Sequence, residues 1–161
     1  MSPPASASPD RPLILGSTSR YRRELLCRLR SPFDVVAPDV DETAEPDETP
    51  ETLARRLALA KARAVAARHP NAVVIGSDQV ADLAGEALGK PGDHENAVRQ
   101  LLRMSGREVV FQTALAVVCR ATGFERCDLA PVRVRFRALS AAEIEAYLRA
   151  EQPYDLSLIH I

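Results

Sequence analysis

Long hydrophobic runs are missing from this chain. No apolar stretch approaches the roughly 20 residues that cross a bilayer, which argues against a membrane-spanning helix. Residues 1–10 are polar and proline-rich and lack the apolar centre of a signal peptide; they read as a disordered tail. An excess of one charge is absent too, since 21 Lys and Arg face 22 Asp and Glu for a net −1. Without a broad basic field, nucleic acid binding by phosphate neutralisation is not expected. Cysteine is scarce. Cys27, Cys119 and Cys127 are odd in number and lack Cys-x-x-Cys spacing. That argues against a disulfide framework or a zinc site and fits a reducing cytoplasm. His69, His94 and His160 lie far apart and form no His-x-x-x-His pair, and no internal repeat is visible. What remains is one domain of 161 residues, 46% apolar, long enough to bury a core.

The stretch around which that domain is arranged begins at Leu13-Ile14-Leu15, a short apolar run that reads as a buried strand. Gly16-Ser17-Thr18-Ser19 then forms a small-residue turn, with Ser19 as N-cap of a helix carrying Leu25, Leu26 and Leu29 on one face. The free N–H groups and positive dipole end of such a helix can hold an anion. Arg22 and Arg23 sit in its first turn, where a cation is unfavourable unless an anion docks beside it. The composition points to a phosphate site.

Residues 33–37 read as a second strand, followed by an acidic loop through Thr49. Such a run is usually a solvated linker; Asp41 and Glu42 are its candidates for holding a cation. Thr49 caps the next helix, with Pro50 first and Leu53, Leu57, Ala60 and Ala64 along one side. Lys61 falls within it, and a lone helical lysine is normally solvated surface. That helix stops at His69-Pro70. Residues 72–75 read as a central strand broken by Gly76-Ser77 just before Asp78, with a separate short strand over 80–83. An aspartate at the carboxyl end of a buried strand is a common catalytic position in α/β folds, and equally a turn cap. Residues 85–91 read as a loop. Its Gly89-Lys90 fails the Walker A pattern, because the spacing is one residue short and Pro91 stands at the Ser/Thr position. Asp93 caps a helix to about Met104, with Ala97, Leu101, Leu102 and Met104 on its apolar side and Ser105-Gly106 at its end. Residues 109–118 are almost continuously apolar, as in a strand covered on both faces. Val132, Val134 and Phe136 alternate with Arg133, Arg135 and Arg137, giving one dry and one basic face. Thr122-Gly123 turns these two strands into an antiparallel hairpin, and Ser140 with Glu143 forms a capping box for a last helix through Tyr147 and Leu148.

Six motifs now stand in order: Ser17 to Leu26, Asp41-Glu42, Lys61-Ala62, Gly76-Ser77-Asp78-Gln79, Gly89-Lys90-Pro91 and Phe136-Arg137-Ala138-Leu139-Ser140. In order and spacing they resemble the Maf family of septum-formation-inhibitor-like nucleotide pyrophosphatases, over about residues 12–155. The resemblance implies an α/β fold: a mixed, twisted central sheet flanked by helices, similar to inosine triphosphate pyrophosphatases. It implies hydrolysis of a nucleoside triphosphate to the monophosphate and pyrophosphate with a divalent metal, magnesium or manganese. By motif, Ser17, Ser19 and Arg22 would hold the phosphates. Glu42 and Asp78 would be the acidic, metal-binding pair, with Asp78 the proton acceptor, while Lys61 and Lys90 would neutralise charge. This chemistry needs an aligned water, a carboxylate to accept its proton, and cations on the leaving group. Tyr21 and Gln79 match the subgroup resembling 7-methyl-GTP pyrophosphatases, whereas the subgroup resembling dTTP/UTP pyrophosphatases has Arg and Thr there. A cationic methylated guanine stacked on Tyr21 would gain about 0.5–2 kcal/mol; an aromatic packed on its own helix is the plainer role for that residue. The competing readings are a dTTP/UTP pyrophosphatase and a non-catalytic nucleotide-binding module. A division inhibitor acting through protein contacts has no specific support. The sequence does not set the oligomeric state, and a homodimer is compatible with it.

The resemblance stops after Tyr154-Asp155. Residues 156–161 read as a non-native tail on an incomplete domain spanning residues 11–155, lacking the family's C-terminal strands and helix. An unpaired sheet edge favours loose packing. The expectation is that this chain releases phosphate from 7-methyl-GTP, in the presence of added pyrophosphatase, much more slowly than a version with a restored C-terminus. Equal rates would refute it.

Overall fold

The computed structural model of the protein describes residues 11–154; the tails expected at 1–10 and 156–161 lie outside the described residues. Strand β1 (Leu13–Gly16) leads through α1 (Arg20–Cys27) to β2 (Asp34–Val36), and α2 (Pro50–Arg68) leads to β3 (Val73–Leu83). Then follow β4 (Glu86–Leu88), α3 (His94–Met104), β5 (Glu108–Cys119), β6 (Phe124–Arg135) and α4 (Ala141–Glu151). The sheet runs β2-β1-β3-β5-β6, parallel across its first three strands and antiparallel across the rest, with β4 pairing β3. This is the mixed α/β sheet that the motifs implied. No described helix is long and apolar enough to cross a membrane.

Local chemistry sets the helix ends. Ser19, Thr49, Asp93 and Ser140 each accept a backbone N–H from inside the first turn, and Ser140 with Glu143 completes the capping box. The hairpin between β5 and β6 turns through Gly123 in the left-handed region at φ 68°.

Packing departs from the sequence reading in several places. β3 is continuous: Gly76-Ser77 does not break it, and residues 80–83 belong to the same strand. Gly76 is there for closeness rather than for a turn. A Cβ on Gly76 would meet the Ala58 carbonyl oxygen and come within 2.6 Å of the Ala62 nitrogen, and one on Gly16 would lie 3.2 Å from Val65. The two glycines are paired across β1 and β3, so α2 seats directly on that row. Its buried face is Leu53, Ala54, Leu57, Ala58, Lys61, Ala62, Val65 and Ala66, while Ala60 and Ala64 are only half-buried. Lys61 therefore lies in the buried stripe and not at the surface.

The loop expected at 85–91 holds β4, which folds back on β3 through positive-φ residues Ala84 and Gly85. β5 is covered on one face at a time. Its Ala114, Ala116 and Val118 pack under α2, whereas Val109 and Phe111 join α3 and α4 on the opposite face, and Leu115 is exposed. A strand hydrophobic on both sides thus serves two separate cores. The dry side of β6 is only partly dry, with Val132 exposed and Val134 half-buried. Leu102 on α3, and Leu25 and Leu29 at α1, are exposed too.

β5 occupies one edge of β3 along residues 74–82. The other edge is shared: β1 pairs it at residues 73–76 and β4 at 81–83. Among the described residues, no strand pairs residues 77–80 on that side. This opening faces the end of β1 and the loop leaving β4.

Gly76→Ala should overpack the α2–β3 contact and lower stability by about 1–3 kcal/mol. Chemical denaturation would read it, and a change under about 0.5 kcal/mol, the usual effect of a surface substitution, would show that α2 has room to lift.

Candidate active site

At the β3 opening, α2 and β3 bring together a buried cation and two carboxylates. Lys61 Nζ lies 2.7 Å from Asp78 Oδ1 and 2.5 Å from Glu42 Oε1. Lys61 and Asp78 are 6% and 8% exposed, whereas Glu42 comes from the loop before α2 and stays half open to solvent. Stranding one member of such a buried pair typically costs about 3–5 kcal/mol, so the cluster is a fixed unit. Although β3 continues past Asp78, its parallel pairing with β1 ends at Gly76. Asp78 thus still lies just beyond the carboxyl ends of parallel strands, the usual ligand side of an α/β sheet.

The two carboxylates are driven apart in acidity. Burial pushes the Asp78 carboxyl above the ordinary aspartate range; Lys61 and Arg22 oppose this and Glu42 adds to it. For Glu42, burial also raises the pKa, but the Lys61 hydrogen bond and the charges of Lys61, Lys90 and Arg22 outweigh it, so the net shift is downward. A pair split in this way offers one proton acceptor and one permanently ionised group.

The turn after β1 completes the cluster. Ser17 is buried, its Oγ accepting from the Ser19 N–H at 3.1 Å and from Arg22 Nη1 at 3.4 Å. Ser19 Oγ receives the Arg22 N–H at 3.4 Å. Burial lowers the Arg22 pKa, while the fields of Asp78 and Glu42 raise it. Arg22 thus lies within the field of both carboxylates, and α1 has no acidic residue in its first turn. Across the opening, Lys90 is exposed on the loop after β4, near enough for its charge to act on Glu42. That loop is pinned at both ends: Gln100 donates to the Gly89 carbonyl at 2.7 Å, and Gly92 N–H donates to the Tyr154 carbonyl at 3.0 Å. Tyr154 is itself held by His94 at 2.8 Å, and His94 by Glu145 at 2.9 Å.

Not every expected site residue joins this group. Gln79 follows Asp78 on one strand, so its side chain points to the opposite face, where it donates to Thr113 Oγ1 at 2.8 Å. Tyr21 is 42% exposed on α1, close enough to Tyr147 of α4 to act on its phenol. Burial raises the Tyr147 phenol pKa, with Glu151 and Tyr21 adding to the shift. Asp41 accepts from the Thr43 N–H and hydroxyl at 2.9 and 2.6 Å and takes no part in the cluster. Sequence reasoning missed Arg56, which grips the loop carrying Glu42. It also passed over a compositional signal: of 21 basic residues only Lys61 and Lys90 are lysines, and both flank this opening. Among the described residues no group of three or more His, Cys, Asp or Glu could hold a metal by itself. Glu42 and Asp78 are a two-carboxylate set, which suits an octahedral cation sharing its shell with water and phosphate oxygens.

Comparison with known proteins fits this geometry. The family model described as Maf-like protein matches residues 12–157. A 7-methyl-GTP pyrophosphatase of Albidiferax ferrireducens is 70% identical over 146 residues, 91% of this chain and 73% of that protein. One from Polaromonas is 70% identical, with 91% and 67% covered, and one from Bordetella pertussis 59%, with 89% and 71% covered. Among solved structures, a HAM1 protein from Coxiella burnetii superposes with a TM-score of 0.52 at 15% identity, over 78% of this chain and 72% of that one, a likeness of fold alone. Motifs, sheet and relatives converge: the chain belongs to the Maf family.

Proposed function

We propose that this chain is a nucleoside triphosphate pyrophosphatase that hydrolyses 7-methyl-GTP to 7-methyl-GMP and pyrophosphate. The observation that carries the proposal is the buried Lys61 ammonium shared by Glu42 and Asp78, opposite Arg22 and the N-terminus of α1. In the reaction, the oxygen of a water bonds to the α-phosphorus and the bond from that phosphorus to the α,β-bridging oxygen breaks. Pyrophosphate leaves with the electron pair. Asp78, the carboxylate whose pKa is raised, accepts the water's proton. Ser17, Ser19 and the α1 N–H groups orient the phosphates, while Arg22, Lys61 and Lys90 offset the charge on the leaving group. Glu42 and Asp78 would hold a magnesium or manganese ion, which when bound supplies further positive charge on the phosphate oxygens.

The preference for 7-methyl-GTP rests on relatives that carry that name at up to 70% identity and on the chemistry of Tyr21. A cationic base over a phenol face gains about 0.5–2 kcal/mol. Gln79 enters this reading as a residue that shapes the base pocket from the far side of β3 rather than as part of the charged cluster. A cytoplasmic place of action accords with Cys27, Cys119 and Cys127 all being free thiols.

Asp78→Asn should cut turnover about 10²–10⁴-fold while the affinity for a non-hydrolysable 7-methyl-GTP analogue is kept. Stopped-flow proton release and calorimetric titration read the two quantities; unchanged turnover would remove Asp78 as the proton acceptor, and a wild-type chain that binds the analogue without any turnover would be a nucleotide-binding module instead. The wild-type rate should climb with pH through a limb above the ordinary aspartate range, because Asp78 must be ionised to act. Tyr21→Arg combined with Gln79→Thr should move kcat/KM away from 7-methyl-GTP and toward UTP and dTTP. An unchanged ranking across a panel of triphosphates would remove Tyr21 and Gln79 from specificity.

A further inference from the structure

Glu42 poses a mechanical problem. It lies in an exposed acidic loop without regular secondary structure, yet its carboxylate meets a buried ammonium at 2.5 Å. Something must hold the loop. The buried stripe of α2 supplies Lys61, but a different side of the same helix carries Arg56, and Arg56 reaches back over the loop. Its Nε donates to Glu48 Oε1 at 2.6 Å and its Nη2 to Glu48 Oε2 at 2.9 Å, a two-pronged pair. The same Nη2 donates at 3.0 Å to the carbonyl of Thr43, the residue after Glu42. Glu48 is not a surface partner, since its side chain is only 5% exposed. Its Oε2 also takes the Glu45 N–H at 3.0 Å, and the Glu48 N–H returns to the Glu45 carbonyl at 3.2 Å. Asp47, at φ 59°, bends the chain back toward α2. Residues 43–48 thus close into a ring between Arg56 and the Thr49 cap, and Glu42 leaves that ring at its fixed end.

We infer that Arg56, with Glu48, is a positioning residue that sets Glu42 against Lys61 before substrate arrives. The inference rests on the pyrophosphatase reading for its purpose and on the loop geometry for its mechanism. A lysine at position 56 keeps the charge but cannot span Glu48 and Thr43 together. The Arg56 hydrogen bonds and the Glu45 N–H hold the Glu48 carboxyl at about 2, well below its usual 4.5. This folded value is depressed, so its contribution is complete above the unfolded pKa near 4.5 and is lost as pH falls toward 2. The ring therefore stays closed at any pH where a nucleotide enzyme works.

The test is a double-mutant cycle between Arg56→Lys and Glu42→Gln, read in kcat/KM for 7-methyl-GTP with manganese. Arg56→Lys alone should cost about 10–100-fold, the scale of a misplaced catalytic group. In the Glu42→Gln background the same change should cost less than about 2-fold, because Arg56 acts through Glu42. Additive losses would overturn the inference. Glu48→Gln should reproduce the Arg56→Lys loss in part and serves as the second variant if Arg56→Lys is poorly folded. Arg55→Lys, one position away and paired with Glu51, should leave turnover unchanged; a loss equal to that of Arg56→Lys would mean a general helix effect and sink the assignment. Hydrogen exchange over residues 41–48 gives a readout independent of activity. It should speed up in Arg56→Lys and stay as in the wild type in Arg55→Lys, and protection unchanged in Arg56→Lys would also overturn the inference. A wild-type chain without turnover would count against the functional reading alone, leaving loop exchange to decide the role of Arg56.

Discussion

One ammonium group organises this protein. Lys61 sits inside the contact between α2 and the sheet, where a charge is tolerated only if it is paired, and it is paired twice, with Asp78 and Glu42. That requirement ties three separate pieces of chain together. α2 must lie close enough to β3 for the lysine to reach Asp78, which the bare row of Gly16 and Gly76 permits. The acidic loop must fold down for Glu42 to reach the same nitrogen. Burial then does the chemical part, raising the pKa of Asp78 while Lys61, Lys90 and Arg22 keep Glu42 ionised.

The sheet provides the opening around that group. β3 is the longest partner of both β1 and β4, but neither covers residues 77–80 on their shared edge. A paired strand there would consume the backbone groups and close the cleft. Instead, the serine turn and α1 approach from one side and the Lys90 loop from the other. The serine turn is braced internally by Arg22 donating to Ser17, and the Lys90 loop is tied to the body by Gln100 donating to the Gly89 carbonyl and Gly92 to the Tyr154 carbonyl. Arg22 and Lys90 thus come to the opening from a helix start and a loop, while Lys61 and Asp78 come from the buried faces of α2 and β3.

Much of this was readable in advance, and the misreadings share one cause. Glycine is a turn signal, so Gly76 reads in sequence as a strand breaker; in the fold it is empty space that α2 fills. Lys61 read as surface by composition, and only its place in the Leu57, Lys61, Val65 stripe shows that it is inside. The apolar run of β5 reads in sequence as covered on both faces, whereas the strand lends one end to each of two cores. Gln79 stood beside Asp78 in sequence and therefore opposite it in space.

The sequence by itself determined what is local. Four helix caps, the β5–β6 turn, the anion-binding composition after β1 and the α/β class follow from side chains meeting their own backbone a few residues away. Tertiary structure alone decided which charges are buried and which faces are shared. Lys61 and Asp78 are 17 positions apart, and Arg56 and Thr43 are 13. No periodicity encodes such pairs. They exist because a helix lined with alanines and resting on glycines can approach a sheet until its backbone touches it, and the long side chains at its margins then have only a few places to go.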